Sequence, residues 1–391
     1  MGDNVTLTEE HLALRESVRD FTQREVVPIA DHLDSQAKEI PMEVIRKMAE
    51  LGYFGLTLPE EYGGSAMDHT CLAIMTEELS RGWLSVGSVG TRLLIASTLI
   101  LAHGTEEQKK KYLPRIASGA CLTAAAFTEP DVGSDTASVA LRAEKVAGNW
   151  KLTGAKSWCT MANRAHMLTV LAKTNPEAPK KHDSLSILLV DKEPGDGFVP
   201  PTMAGDYIPA IGYHGLKSWN VMFEDHLVPE DAVLGGVTGK GFRQLMVTYE
   251  SARIQTAARA VGVAQASFDA ALRYSKERFQ FGKAISEFQI IKHKLAHMAT
   301  EIEAARQLTY HAARAKDSGR RADLEAGMAK AFAADMAERV TSEALQIYGG
   351  YGYSKEYPVQ RYWRDGRLFK VFEGTSEIQY EVIAKRLLSG E

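Results

Sequence analysis

The hydrophobic patterning predicts an α+β chain of three successive units: helical, then β-rich, then helical again. Apolar residues recur at helical spacing from about residue 6 to 118 and again from 241 to 388, whereas 120 to 232 breaks into short β-rich runs bounded by Gly, Pro, Asn and Asp. The length, 391 residues, exceeds one simple core and suits two or three packed units. The composition, 45% hydrophobic and 25% charged, is that of an ordinary globular protein. The implied organisation is an N-terminal helical domain over 1–119, a compact β-barrel-like domain over 120–232 and a C-terminal helical bundle over 233–391.

The first unit rests on Leu12, Leu14, Val18, Phe21, Val26, Val27 and Ile29, then Val44, Ile45, Met48 and Leu51, with breaks expected at Pro28, Pro41 and the turn LPEEYGG at 58–64. Its most apolar helical stretch, WLSVGSVGTRLLIASTLI, contains a single charge, Arg92, which is unfavourable to bury unless paired. The β unit is read from VALRAEKV, NWKLTG, HMLTVLAK, SLSILLV and NVMFED, and TNPEAPKKHD at 174–183 reads as an exposed loop. In the last unit one periodic segment runs from Phe242 to about Arg278. With segments beginning near Gln289, Ala322 and Glu377 it predicts an antiparallel four-helix bundle.

Charge and cysteine use narrow the function classes. Lysine plus arginine number 46 against 50 acidic residues, a net charge of -4, so no basic footprint points to nucleic acid. The start MGDNVTLTEEHLALRESV is acidic and lacks a signal-peptide core, and no run of roughly 18 to 20 apolar residues is read that would span a bilayer. A cytoplasmic or matrix protein without membrane insertion is the expectation. Cys71, Cys121 and Cys159 form no CxxC pair, which suits a reducing compartment and gives neither a disulfide framework nor a zinc site. His293 and His297 are the one histidine pair at helical spacing, without an acid in HExxH order, and no metal site is expected.

The candidate chemistry concentrates between Gln346 and Gln379, QIYGGYGYSKEYPVQRYWRDGRLFKVFEGTSEIQ. Gly349, Gly350 and Gly352 end a helix where backbone passes close to something bulky, a ligand or a neighbouring chain. After Phe372 to Ser376, the residues Ile378, Val382, Ile383 and Leu387 recur at helical spacing, with Ser376 and Gln379 placed as a capping box. Glu373 therefore sits just ahead of a helix start and behind Leu368, Phe369, Val371 and Phe372. That is the setting of a general base for a carbon-bound proton: apolar surroundings raise its basicity and the helix start moderates the shift.

These residues, in this order, closely resemble the acyl-CoA dehydrogenase family. Gln346, Gly349, Gly350, Gly352, Tyr353, Glu356, Arg361 and Asp365 fill every slot of its second signature, FEGTSEIQ at 372–379 looks like its base-bearing loop, and FTEPDVGSD at 127–135 resembles its first signature. Phe127 and Val132 depart from the residues usual in that first pattern. The resemblance covers essentially the whole chain. It implies the acyl-CoA dehydrogenase fold, an FAD cofactor, an acyl-CoA substrate, electron-transferring flavoprotein as electron acceptor and a homotetramer.

By that resemblance Phe127, Thr128 and Ser134 border the flavin or the CoA, Trp158 covers the isoalloxazine, and Thr160 donates to its N5 edge. Arg278, Phe281 and Gln289 reach the neighbouring subunit's flavin, Arg278 on the pyrophosphate, and Gln346 and Gly350 complete the contact. Thr375 and Glu377 belong to the same cofactor set. On the substrate side Arg253 faces the acyl channel, Tyr249 and Glu250 lie near the CoA, and Ser134 and Gly374 border the substrate. Glu373 would take the proton next to the thioester carbonyl while the adjacent carbon loses hydride. Some relatives carry the base just before the channel arginine, where this chain has Ala252, so Glu373 is the candidate.

Within the family, ARIQTAARAVGVAQ at 252–265 and RQLTYHAARAKDSGRRADLEAGMAK at 306–330 look most like the catalytic part of (2S)-methylsuccinyl-CoA dehydrogenases. A short branched or dicarboxylic acyl-CoA is the expected substrate, with neutral short-chain and glutaryl-type dehydrogenation, or an oxygen-using oxidase, as alternatives. Arg92 then either binds a substrate carboxylate, or snorkels or meets a structural acid.

Overall fold

The computed structural model describes residues 7–389. Helices α1 (Glu9–Phe21) and α2 (Val27–Ser35) are joined by a π-helical turn, Thr22–Val26. Pro28, expected as a break, lies in the first turn of α2, where its missing N–H is no loss, and the wide turn passes the Val27 N–H back to the Thr22 carbonyl. Helices α3 (Met42–Glu50), α4 (His69–Gly82), α5 (Leu84–His103) and α6 (Glu106–Ala117) complete the N-terminal domain. Helix α5 corrects the membrane expectation, because its 20 residues are long and apolar enough to cross a bilayer. The reason is enclosure: Val86, Val89, Leu93, Leu99 and Ile100 have no exposed surface, and a helix apolar all round is a core helix here.

Strands β1 (Thr123–Ala126), β2 (Arg142–Val146), β3 (Asn149–Thr160), β4 (Met167–Lys173), β5 (Leu185–Asp191), β6 (Met203–Ile208) and β7 (Ser218–Pro229) form one mixed sheet. The alanines of β1 and the Gly205–Asp206 interruption in β6 hid those two strands from the sequence pattern. One half is built on β3 paired with β7, the other on β4 paired with β1 and β5, and the halves meet at a single parallel pair, Arg142 with Lys173. Both face one core: Leu152, Trp219, Val221 and Phe223 from the first, Leu168, Val170, Leu188 and Val190 from the second.

The C-terminal domain begins with α7 (Gly241–Glu277), followed by a small hairpin of β8 (Phe279–Gln280) and β9 (Lys283–Ala284). Helices α8 (Gln289–Asp317), α9 (Asp323–Tyr348) and α11 (Ser376–Ser389) pack with α7 as the bundle, and α10 (Val359–Leu368) is an additional helix between α9 and α11. Helix α7 is the spine, packing on α4 and α5 as well as on α8 and α9. Its crossing with α4 needs a glycine: a Cβ on Gly262 would lie 2.2 Å from the Glu77 carbonyl oxygen. Beside that crossing the Glu77 carboxylate accepts from Arg306 and Tyr310 of α8, both at 2.9 Å. Helix α10 ties all three domains together: Arg361 donates to Asp31 at 2.9 Å, and Asp365 accepts from the Tyr213 backbone N–H at 2.9 Å.

Candidate active site

The loop between α10 and α11 carries Glu373 in a left-handed conformation, φ 54°, followed by Gly374 at φ 85°. For a glutamate that backbone is unfavourable and persists only if the surroundings fix it. They do so through the Gly374 carbonyl, which accepts from Lys330 Nζ of α9 and, at 3.0 Å, from Gln379 Nε2 of α11. The expected capping box is therefore corrected. Helix α11 starts one residue earlier in its cap than the pattern suggested: Thr375 Oγ1 accepts from the Ile378 N–H, Gln379 reaches back to Gly374, and the Ser376 hydroxyl is buried without a partner.

Both oxygens of the Glu373 carboxylate are taken. Oε1 accepts from Arg92 of α5, and Oε2 accepts from Arg259 and from the Thr256 hydroxyl of α7. Thr256 and Arg259 lie one turn apart, and the guanidinium also donates to Thr256 Oγ1 at 2.9 Å and to Ser88 Oγ at 3.0 Å while resting 5.0 Å over the Phe372 ring. The Arg259 side chain is wholly buried, and Arg92 and Glu373 expose only 10% and 12% of theirs. The expectation of a raised basicity is overturned. Burial pushes the Glu373 carboxyl up, but Arg259, Arg92 and Thr256 outweigh it and hold the group down at about 2. Nearby, burial pulls the Lys330 ammonium down to about 8.

The remaining substrate-side residues cluster on α7. Arg253 is buried, and its guanidinium lies 5.9 Å from the Tyr249 ring centroid. Glu250 pairs with Lys316 at 2.7 Å. Burial pushes the Tyr249 hydroxyl up to about 12.

In the β domain, Trp158 sits in a bulge of β3, where the register with β7 slips between Lys156 and Cys159, at φ 56°. The bulge turns the indole outward, 56% exposed. Thr160 is buried, its hydroxyl 3.1 Å from that of Ser218. Phe127 and Thr128 offer their carbonyls to Lys156 Nζ at 3.3 Å and to the Ser157 N–H at 2.8 Å, so the 127–135 turn is strapped to the same bulge, with Ser134 exposed beyond it. Farther along the chain, Arg278 and Gly350 share a cleft of about 480 Å³ with Tyr274, Tyr348 and Tyr351. Gly349 takes a positive φ of 60°, and a Cβ on it or on Gly350 would meet nothing within 4 Å; Gly352 instead abuts the chain's own Leu345 carbonyl. Phe281 is 92% exposed, and Gln289, Gln346 and Glu377 are exposed as well. An outward-facing indole, an uncovered phenylalanine and an arginine beside open helix-end glycines suit a flat ring carrying phosphates.

Three family models, described as the acyl-CoA dehydrogenase N-terminal, middle and C-terminal domains, match residues 8–120, 124–226 and 239–388. The chain belongs to the acyl-CoA dehydrogenase family. It is 48% identical over 385 residues to a (2S)-methylsuccinyl-CoA dehydrogenase of Cereibacter sphaeroides, covering 98% of this chain and 70% of the relative. Its fold matches a chain from a solved structure of the electron transferring flavoprotein of Acidaminococcus fermentans, TM-score 0.93 at 35% identity, over 99% of this chain and 100% of that one. It matches equally a glutaryl-coenzyme A dehydrogenase solved with glutaryl-CoA, TM-score 0.92 at 36% identity, over 100% and 98%.

Two acyl-CoA dehydrogenase signature residues, Arg361 and Asp365, act here as ties between domains. Sequence reasoning missed Arg259, Thr256, Lys330 and Ser88. A signal was present for two of them: Arg259 is the one charge among Ala257, Ala258, Ala260, Val261 and Gly262, and Lys330 lies in an alanine-rich run. The argument applied to Arg92 in α5 holds for both. Nothing marks Thr256 or Ser88 without the fold.

Proposed function

We propose that this acyl-CoA dehydrogenase binds FAD and removes two hydrogens from a short dicarboxylyl-CoA such as methylsuccinyl-CoA. On this reading it works as a cytoplasmic homotetramer and passes electrons to an electron-transferring flavoprotein. The observation that carries it is a carboxylate base and a buried guanidinium in one contact, Glu373 with Arg92, at the strained loop. The identity with a methylsuccinyl-CoA dehydrogenase and the fold match to a chain of an electron transferring flavoprotein structure support the substrate and the acceptor.

Trp158 and Thr160 would hold the flavin ring, with Phe127, Thr128 and Ser134 along its border. Arg278, Phe281, Gln289, Gln346 and Gly350 would hold the pyrophosphate side of a neighbour's FAD, with Thr375 and Glu377 completing the set. The chemistry FAD supplies when bound is acceptance of hydride. Glu373 takes the proton from the carbon beside the thioester carbonyl. Its own backbone N–H makes no hydrogen bond among the described residues and is the donor assigned to the thioester oxygen as negative charge develops there. Tyr249, Glu250, Arg253 and Gly374 line the thioester's path, and Arg92 takes the free carboxylate.

A panel of acyl-CoA thioesters, read by flavin bleaching on FAD-loaded protein, tests this. Wild type should prefer methylsuccinyl-CoA over 2-methylbutanoyl-CoA, and Arg92→Met should reduce the first by about 3 kcal/mol or more while sparing or raising the second. Equal losses on both, or a wild type that prefers neutral chains, would remove the dicarboxylate reading. Reoxidation by electron-transferring flavoprotein, compared with reoxidation in air, decides the acceptor.

A further inference from the structure

Lys156, Lys192 and Lys330 are all buried, and they are satisfied unequally. Lys156 pairs with Glu129 at 2.8 Å. Lys192 donates to the backbone carbonyls of Asn163, Ala165 and Glu193 at 3.4, 3.1 and 2.7 Å. Lys330 of α9 has no exposed surface, forms no ion pair among the described residues and donates to a single acceptor, the Gly374 carbonyl. Its neighbours on α9, Ala326, Ala329, Ala333 and Ala334, are buried as well. In that setting an ammonium is unfavourable, and an apolar side chain of the same length would pack without the penalty.

The one acceptor belongs to the strained loop. Glu373 and Gly374 both have positive φ, and a Cβ on Gly374 would lie 2.5 Å from Gln379 Nε2. A glutamate backbone in the left-handed region persists only while its surroundings hold it there. We infer that Lys330 is a positioning residue for the base: its charged form fastens the Gly374 carbonyl and so holds the carboxylate and the backbone N–H of Glu373 in place, and loss of that one proton to solvent slackens the loop. The inference rests on the dehydrogenase reading given above.

Burial pulls the ammonium down to about 8, which brings the latch within reach of ordinary pH. The charged groups that face it are Glu373 on the loop and Glu377 on α11, which favour the ammonium, and Arg253 and Arg259 on α7, which oppose it. Glu373 itself stays ionised across that range, and Tyr249 titrates only near 12. A neutral amine still donates, but without charge assistance, and Gln379 at 3.0 Å is then the main tie on the Gly374 carbonyl. Stability and activity are therefore expected to part. The folded lysine lies below its ordinary 10.5, so its burial opposes folding fully below about pH 8, and that penalty disappears as pH rises toward 10.5.

The test uses FAD-loaded wild type, Lys330→Met and Lys330→Arg with the thioester that wild type bleaches fastest, from about pH 6.5 to 9.5. Wild type should lose rate above about pH 8 and approach the level of Lys330→Met. That variant should be about 10- to 100-fold slower at neutral pH and show no inflection near 8, because a misplaced base loses rate at every pH. Lys330→Arg, charged throughout, should hold its rate constant over the window. The Tm of Lys330→Met at neutral pH should equal or exceed that of wild type, whereas a lysine needed only for folding would lower Tm and rate together. An inflection that persists in Lys330→Met, or a Tm that falls with the rate, would overturn the proposal.

Hydrogen exchange supplies an arm without turnover. The N–H groups of Phe372 and Ser376 bond to the Leu368 and Lys370 carbonyls at 3.1 and 3.2 Å and bracket Glu373. Their exchange should quicken about tenfold in Lys330→Met and stay slow in Lys330→Arg. Equal protection in all three proteins would remove the latch. Should wild type bleach with no thioester while the exchange difference stands, the dehydrogenase reading falls and the latch survives.

Discussion

In the β domain Lys156 and Glu129 pair at 2.8 Å, with the lysine side chain fully enclosed. Every group there is used: Glu129 also accepts from the Leu141 and Ala140 N–H groups at 2.9 and 2.7 Å, and Lys156 also donates to the Phe127 carbonyl. In the C-terminal domain Glu373 is buried to a similar degree, yet it sits on a left-handed backbone beneath two guanidiniums that retain buried Nε atoms without acceptors. One carboxylate is matched to its cations and the other is outnumbered. The first arrangement fixes a turn, since a satisfied buried pair stays as it is; the second remains open to a further anion. Burial and pairing alone do not separate structural from functional ions in this protein. The count of unsatisfied partners does.

The sharpest way to break that contrast is to neutralise each carboxylate or its partner in turn. Glu373→Gln should retain FAD and abolish bleaching by substrate, a loss of about 10²- to 10⁴-fold measured by anaerobic single-turnover kinetics. Near-normal bleaching in this variant would sink the assignment of the base. Lys156→Met should instead act on folding. It strands Glu129 in the interior and should lower the unfolding free energy by about 3–5 kcal/mol in denaturant titrations. Arg259→Met should lower it by only about 1–2 kcal/mol, because Glu373 keeps Arg92. If the two variants destabilised equally, the distinction between matched and outnumbered carboxylates would fail.

Arg278→Ala carries the comparison to the cleft proposed for the cofactor. If the proposed FAD site is shared between chains, losing the charge-assisted contact should weaken FAD retention by about ten- to a hundredfold and shift the proposed assembly toward smaller species together, read by ultracentrifugation with flavin absorbance. A dissociated monomer that still holds FAD normally would contradict a site shared between chains.

The smallest expected effect is on acid stability. The folded Glu373 carboxyl, near 2, lies below its ordinary 4.5, so its contribution is fully present above about pH 5 and disappears as pH falls toward 2. The charged and titratable groups coupled to it are Arg92, Arg259, Lys330, Tyr213 and Tyr249. The Tm difference between wild type and Glu373→Gln should therefore narrow over that window. A difference that stayed constant from pH 6 to pH 3 would show that Glu373 is not held by its cations.

Much of the architecture was legible in the chain itself. The period of the apolar residues announced the helical, β, helical order and the long α7, because helix and strand periodicities are local properties. The acyl-CoA dehydrogenase signatures singled out Glu373 by its neighbours in sequence, and the lone charge of α5 singled out Arg92 by the apolarity around it. The two weakest strands escaped because TAAA and MAGDYI lack a β pattern of their own and owe their conformation to the strands they pair with. Tertiary structure alone decided what Glu373 experiences. Its apolar neighbours in sequence implied a raised basicity, whereas the groups that set its charge arrive from α5 and α7, far away along the chain. Electrostatic environment is a property of distance in space, and no spacing in the sequence encodes that Arg92, Thr256 and Arg259 close on one carboxylate.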